Sequence, residues 1–185
     1  LAAVAGVLAL SGTTIRSAVL RTELPDPSAN ALLELEVAPA FDVLPKWADV
    51  EADLRAVLEG RMALAERLEA YERPYLRYRR TIAAEAPPVR VTVAEEASQR
   101  STVLEVRAPD TGPVLYHLAT AIADAGLLTQ AALVSTLGAE VVDVLYVQDA
   151  EGRKLVPGSH EEGELVEAVL AALDLSKLTG GEGPG

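Results

Sequence analysis

The chain has 185 residues, half of them hydrophobic, with a formal net charge of −12 and no cysteine. This length fits one medium domain or two small ones, and the lack of cysteine excludes disulfides, thiol catalysis and cysteine-bound zinc. We expect no nucleic-acid partner, because phosphate binding needs a basic surface, and no membrane span, because no apolar run reaches roughly 20 residues. We predict a cytoplasmic protein.

The first half of the chain predicts a helix, a hairpin and a second helix. Leu1–Leu10 is an apolar helix that Gly12 ends, since glycine readily adopts the left-handed conformation of a C-cap. Thr13–Glu23 and Asn30–Ala38 alternate apolar and polar residues, which predicts two paired strands. An apolar stripe at helical spacing predicts one long amphipathic helix from Pro45 to about Glu72.

The second half predicts a similar arrangement with an additional strand. Pro113 is expected at the first helical position, where its missing N–H has no cost. A four-stranded sheet needs one strand from the N-terminal side, and we expect Val89–Val93 to supply it. The predicted elements are strands Val89–Val93 and Ser101–Ala108, a helix to Ala125, a hairpin of Leu128–Leu137 and Val141–Val147, and a helix from His160 to about Leu173.

The two halves contain an internal repeat. Leu1–Gly12 aligns with Leu115–Gly126 at a constant offset of 114 residues. A duplicated α/β unit often binds a ligand where its two copies meet. We predict a first unit at 1–80 that begins part-way into a helix, a linker at 81–88, a second unit at 89–176 and a flexible tail at 177–185.

Several short motifs in the second half resemble those of the ACT domain, a small β-α-β-β-α-β module that binds amino acids. The narrower resemblance is to the C-terminal tandem ACT region of the bacterial PII uridylyltransferase/uridylyl-removing enzyme family. The motifs are EAS at Glu96–Ser98, EVRAPD at Glu105–Asp110, TLG at Thr136–Gly138, VVD at Val141–Asp143 and YV at Tyr146–Val147.

This resemblance implies an α+β fold of two ferredoxin-like ACT units, each an antiparallel sheet with helices on one face. It implies a regulatory region that senses glutamine and contains no catalytic residues or metal ligands. The family's catalytic domains lie upstream, and its nucleotidyltransferase domain uses Mg²⁺. The implied partners are glutamine, those catalytic domains, the PII signal protein through the full enzyme and, as an open alternative, a second copy of the chain.

The resemblance also implies a ligand site at the start of the second unit's helix. There the helix N-terminus would receive a ligand carboxylate, and Asp110 would face the ligand ammonium. The strand that follows each repeat's glycine would complete the site. The predicted ligand-binding residues are Asp110, Thr111, Gly112, Val114 and Leu115 from the turn and helix, and Thr13, Thr14, Ile15, Leu128 and Thr129 from the strand starts.

Alternatives to this site stay open. Asp110 also fits the role of a helix N-cap, and the strand starts fit ordinary strand initiation. The family turn reads DRPGLL, whereas Asp110–Leu115 reads DTGPVL, and Pro113 has no N–H to offer a ligand. A ligand-free dimerisation or scaffold module, and the ACT tail of another amino-acid-regulated enzyme, are therefore alternative functions.

Overall fold

The structure, a computed structural model, describes residues 1–22, 31–40, 43–75, 88–110 and 112–174. The elements in this part of the chain confirm the α+β class. They are α1 Ala2–Leu10, β1 Thr13–Thr22, β2 Ala31–Pro39, α2 Trp47–Leu58, α3 Leu64–Glu72, a 3₁₀ helix at Arg73–Tyr75, β3 Arg90–Val93, β4 Thr102–Pro109, α4 Val114–Asp124, β5 Leu128–Leu137, β6 Glu140–Gln148 and α5 His160–Ala172.

The strands form one six-stranded antiparallel sheet in the order β2-β1-β5-β6-β4-β3. The predicted fourth strand of the second unit is confirmed, since β3 pairs with β4 at the sheet edge. The pairing of β1 with β5 joins the hairpins of the two predicted units into one sheet.

The repeat seen in the sequence is also present in the backbone of the two hairpins. The glycines that precede β1 and β5, Gly12 and Gly126, have φ values of 69° and 75°. Each strand then has an irregularity in its pairing, at Arg16 in β1 and at Gln130 in β5. Both pairs of residues are 114 positions apart, so the two hairpins share their detailed geometry as well as their order of elements.

The two hairpins meet around an approximate two-fold axis. In the β1–β5 ladder, Val19 pairs with Leu133, which is its own counterpart in the repeat. The pairs on either side, such as Ser17 with Ser135, follow the same symmetry. The symmetry means that corresponding surfaces of the two hairpins lie at opposite ends of the central ladder.

Helices pack on one face of this sheet and enclose the core. The main hydrophobic cluster combines inward side chains of the sheet with α4 and α5, and its fully buried leucines are Leu104, Leu118, Leu145 and Leu165. In the first half, Val7 of α1 packs against Leu64 and Leu68 of α3. Each large apolar side chain buried in this way contributes about 1.5–3 kcal/mol to stability.

One predicted helix is wrong. The segment from Pro45 to Glu72 contains two helices, because Gly60 adopts a left-handed φ of 69° and ends α2. Its neighbour Arg61 donates its N–H to the carbonyl of Ala56 at 2.8 Å, which satisfies a carbonyl at the end of α2. The break was not predicted because the apolar stripe continues in phase on both sides of it.

Smaller differences concern the ends of elements. Pro113 is the N-cap of α4, so the helix begins one residue later than predicted, a shift within the usual uncertainty of a helix end. The tip of the first hairpin, the linker at 81–87 and the tail at 177–185 lie outside the described residues. No helix in the described part of the chain is both long enough and apolar enough to cross a membrane.

Candidate functional site

A cavity of about 310 Å³ lies between α1, α4 and the strands β1, β5 and β6. It brings together seven of the ten residues predicted to bind a ligand: Thr13, Thr14 and Ile15 from the start of β1, and Asp110, Gly112, Val114 and Leu115 from the turn and α4. The cavity therefore joins the turn of the second repeat to the strand start of the first.

Two of the three remaining predicted residues are not on this cavity. Leu128 and Thr129 begin β5 and are the repeat counterparts of Thr14 and Ile15, so the two-fold axis places them at the other end of the ladder. Neither is among the residues that line the cavity. Thr111 lies outside the described residues.

The turn before α4 is held by the second hairpin. The N–H of Asp110 donates to the carbonyl of Ala139 at 2.8 Å, in the tight turn between β5 and β6. The N–H of Val114 donates to the carbonyl of Gly112 at 2.8 Å. The N-cap residue, Pro113, makes no side-chain capping hydrogen bond. The turn is thus anchored through its backbone, which leaves the Asp110 side chain able to face the cavity.

The start of α4 gives this cavity a positive end. The N–H of His117 donates to the carbonyl of Pro113 at 3.1 Å, and this is the first hydrogen bond of the helical pattern in α4. The backbone amides of Leu115 and Tyr116 come before it, in the first turn, where an α-helix provides no acceptor of its own. Both residues line the cavity, so helix geometry and the helix dipole favour an anion there.

The start of β1 supplies hydroxyl groups on the opposite wall. Thr13 is buried, and its Oγ1 lies 2.9 Å from the Oγ of Ser11. The Ser11 hydroxyl donates to the carbonyl of Leu8 at 2.7 Å, so its single proton is already used. Thr13 is therefore the donor to Ser11, and the lone pairs of Thr13 remain as acceptors next to the cavity.

Asp110 carries the first carboxyl group of the cavity. Burial raises the pKa of Asp110, and the positive charge of Arg16 acts in the opposite direction. Arg16 is exposed and occupies the irregular position of β1. The strand irregularity thus places a cation near the carboxyl group of the turn.

Asp143 carries the second carboxyl group, and it is not among the residues predicted from the sequence to bind a ligand. It lines the cavity with a side chain that is 1% exposed, and neither carboxylate oxygen has a hydrogen-bond partner among the described residues. Burial raises the pKa of Asp143 to about 7; the Ser135 backbone N–H opposes this shift without reaching good hydrogen-bond geometry, and the charge of Asp110 adds to it.

A signal for Asp143 is present in the sequence. The inward residues of β6 alternate along the strand, and Asp143 is the charged member of a row that otherwise contains Val141, Leu145 and Val147. A carboxylate in a buried apolar row is costly unless something compensates its charge. Such an interruption of a clear alternation is a reason to examine a residue as a functional candidate.

Comparison with known proteins identifies the relatives of this chain. Over 161 residues, or 85% of the chain, it is 44% identical to the bifunctional uridylyltransferase/uridylyl-removing enzyme of Streptomyces coelicolor, covering 19% of that protein. Enzymes of the same name from Rhodospirillum rubrum and Azospirillum brasilense are each 31% identical, over 92% and 91% of the chain and 18% of each relative. The chain is related to one region of the uridylyltransferase/uridylyl-removing enzymes.

The predicted resemblance to this family is confirmed by these relatives. The chain spans about one fifth of the length of the curated uridylyltransferase/uridylyl-removing enzymes that it matches. No family model matches the chain, and no solved structure matches it.

The histidines of this uridylyltransferase-related region lie away from the cavity. His117 Nε2 lies 3.6 Å from Glu72 Oε2, and His160 Nε2 lies 3.3 Å from Glu164 Oε1 on the surface of α5. Across the described residues, no group of three or more His, Cys, Asp or Glu side chains is arranged to hold a metal ion.

Proposed function

We infer that this chain is the glutamine-sensing ACT region of a PII uridylyltransferase/uridylyl-removing enzyme. The observation that supports this function is the cavity between the Asp110 turn and the start of β1, which contains polar groups from both repeats. Its volume of about 310 Å³ suits a ligand of amino-acid size, at the lower end of the range for small-molecule sites.

The chemistry of the cavity matches the parts of a free amino acid. The first-turn amides of α4, at Leu115 and Tyr116, suit the α-carboxylate. The carboxyl group of Asp110 suits the ammonium group, and the hydroxyls of Thr13 and Thr136 can bond a side-chain amide such as that of glutamine. Apolar walls from Val114 and Val134 limit the water that competes with these contacts.

Regulation would follow from the position of the ligand between the two repeats. A ligand that contacts α1 and β1 on one side and α4 and β6 on the other favours the arrangement that brings both sides together. At a ligand concentration 100 times its Kd, this preference is worth about 2.7 kcal/mol. In a full-length cytoplasmic enzyme, glutamine would thereby favour removal of uridylyl groups from the PII protein over their transfer.

The alternative function is a scaffold or dimerisation module without a ligand. The observation in its favour is the sheet face on which none of the described helices packs, where Leu32, Leu133 and Leu137 are 64%, 49% and 63% exposed. Exposed leucines on a sheet face are typical of a surface that another protein covers. A thermal-shift screen against the twenty amino acids separates the two functions, because only the sensor gains stability from one of them.

The substitution Asp110→Ala tests the sensor directly. We expect calorimetry to show at least a tenfold loss of glutamine affinity, since a charge-assisted contact is worth about 1.5–3 kcal/mol. Asp124→Ala is the matched control, because Asp124 is exposed at the other end of α4 and is not on the cavity. Unchanged affinity in Asp110→Ala, with glutamine still bound by the unmodified chain, would place the site elsewhere.

A further inference from the structure

The strand pairing identifies the counterpart of Asp143 in the first repeat. Asp143 pairs with Val134 in the second hairpin, and the repeat counterpart of Val134 is Leu20. Leu20 pairs with Leu33 in the first hairpin. Leu33 and Asp143 therefore occupy the same inward position of the two hairpins, one as a leucine and one as an aspartate.

This comparison shows that the fold does not require a carboxyl group at the position. Leu33 packs against both hydrophobic clusters of the sheet and helices. Asp143 has the matching position in its own hairpin but lies on the central strand β6, between β5 and β4, and its two oxygens have no hydrogen-bond partner among the described residues. An unpaired buried carboxylate destabilises a protein, so a role in binding explains Asp143 better than a role in folding.

The described lining of the cavity contains no cation to compensate Asp143. Among the described residues that line it, none is lysine or arginine, and the ionisable ones besides Asp143 are Asp110, Tyr71 and Tyr116. Arg16 acts on Asp110 from the edge of β1. The described lining residues thus offer Asp143 no positive partner, a role that the charged group of a bound molecule would fill.

An ammonium group fits this position better than a metal ion. The two carboxyl groups are too few for a metal site by the ligand sets that proteins use, and no third acidic or histidine group joins them in the described part of the chain. An ammonium group has three N–H donors and needs only a small number of acceptors. Asp143, Asp110 and the Thr13 hydroxyl, which all line the cavity, together offer such a set.

We propose that Asp143 is the acceptor for the ammonium group of a free α-amino acid, whose carboxylate lies at the first-turn amides of α4. The inference rests on the proposed amino-acid sensor and adds the residue that recognises the amine. Asp110, whose carboxyl group is already influenced by the charge of Arg16, is then a second acceptor that supports Asp143 from the turn before α4.

Proton release on binding is a consequence of this arrangement. The pKa of Asp143 is raised to about 7 by burial, so part of the population carries a proton at neutral pH. An ammonium group favours the ionised form and displaces that proton. The titratable groups that share the cavity with Asp143 are Asp110 from the turn, Tyr71 from α3 and Tyr116 from α4, and Arg16 of β1 acts on Asp110. Affinity should rise with pH up to about 7 and then level off.

Calorimetry with two ligands and two variants tests the proposal. The ligands are glutamine and glutaramic acid, which is glutamine without its amino group; the variants are Asp143→Asn and Asp143→Leu, the second copying Leu33. We expect at least a tenfold loss of glutamine affinity in both variants, which remain folded by circular dichroism, and no measurable binding of glutaramic acid to the unmodified chain. Asp124→Asn, outside the cavity, should bind glutamine normally.

The outcomes separate this inference from the proposed function. Wild-type glutamine affinity in Asp143→Asn, or equal affinities for glutamine and glutaramic acid, would overturn the role of Asp143 and leave the sensor intact. If none of the twenty amino acids stabilises the unmodified chain, the sensor fails. Methylammonium chloride then tests Asp143 alone, against sodium chloride. Stabilisation that disappears in Asp143→Asn supports an ammonium site at Asp143, and its absence or persistence overturns that site.

Discussion

The hairpins β1–β2 and β5–β6 have the same backbone design and differ in what they place beneath the helices. Both follow a left-handed glycine, both have an irregularity at the same repeat position, and both contribute to the central ladder. At one inward position the first has Leu33 and the second has Asp143. The two hairpins thus share one backbone design, whereas the Leu33–Asp143 difference places a buried carboxyl group in the second hairpin alone of the two.

The turns of the two hairpins differ as well. The second hairpin turns at Gly138 and Ala139, with Gly138 at a φ of 67°. The Ala139 carbonyl accepts the N–H of Asp110 and so fixes the turn before α4. The corresponding residues 23–30 of the first hairpin are more numerous and lie outside the described residues. The second hairpin thus supplies both the buried carboxyl group and the anchor of the turn.

The largest expected effect is the pH dependence of stability that Asp143 introduces. The pKa of Asp143 is raised from 3.8 to about 7 by burial in the folded state. The folded protein therefore binds more protons than the unfolded chain between these values, and the free energy of unfolding falls as pH rises from about 4 to about 7. The full penalty, on the order of 4 kcal/mol, is present above pH 7 and absent below pH 4.

Denaturant unfolding at several pH values, without ligand, measures this effect. Asp143→Asn removes the titrating group, so its unfolding free energy should exceed that of the unmodified chain at pH 8 and approach it at pH 4. Asp143→Leu should behave in the same way and add the stability of an apolar side chain, as Leu33 does in the first hairpin. Parallel pH profiles for the unmodified chain and Asp143→Asn would show that Asp143 does not carry the penalty.

Much of this fold could be predicted because its periodicities are clear. Alternation predicted both hairpins, the constant offset predicted the repeat, and the short strand before β4 was required by the sheet. The break at Gly60 could not be predicted from the stripe, because the apolar positions stay in phase from Leu54 to Leu68 across it. A glycine alone does not distinguish a tolerated helix residue from a left-handed end.

The candidate site was predicted only in part, and from family resemblance instead of periodicity. The Asp110 turn and the start of β1 came from family resemblance, and the cavity brings them together. Asp143 was missed because its position depends on the pairing of β6 with both β4 and β5. These pairings bring Asp143 close to the Asp110 turn, although the two residues are far apart in the sequence. The strand irregularity at Arg16 was equally hidden, because no local pattern in the sequence marks it.

A smaller effect should separate equivalent leucines of the two hairpins. Leu145 and Leu35 occupy the same repeat position, opposite Ala132 and Ala18. Leu145 is completely buried in the main cluster, whereas Leu35 is partly exposed beside the smaller one. We expect Leu145→Ala to cost about 3 kcal/mol and Leu35→Ala about 1–2 kcal/mol, because a cavity forms only where the surroundings are closed.

Chemical denaturation measures both values, provided that the slope of unfolding free energy against denaturant stays the same. Comparable losses in the two variants would mean that the first hairpin is as deeply packed as the second. That result would remove burial depth as a difference between the repeats and leave the Leu33–Asp143 exchange as the main one.

The smallest effect concerns the helices that the two hairpins follow. Gly6 in α1 is the counterpart of Thr120 in α4, and a Cβ at Gly6 would lie 2.8 Å from Leu64, 2.9 Å from Tyr116 and 3.0 Å from Leu68. Gly6→Ala should therefore cost about 1 kcal/mol in thermal or denaturant unfolding, since overpacking outweighs the gain in helix propensity. Gly163→Ala, in α5 with no atom within 4 Å of the added Cβ, is the matched control and should gain about 1 kcal/mol. Equal gains in both variants would show that α1 does not need a glycine where the helices of the two repeats touch.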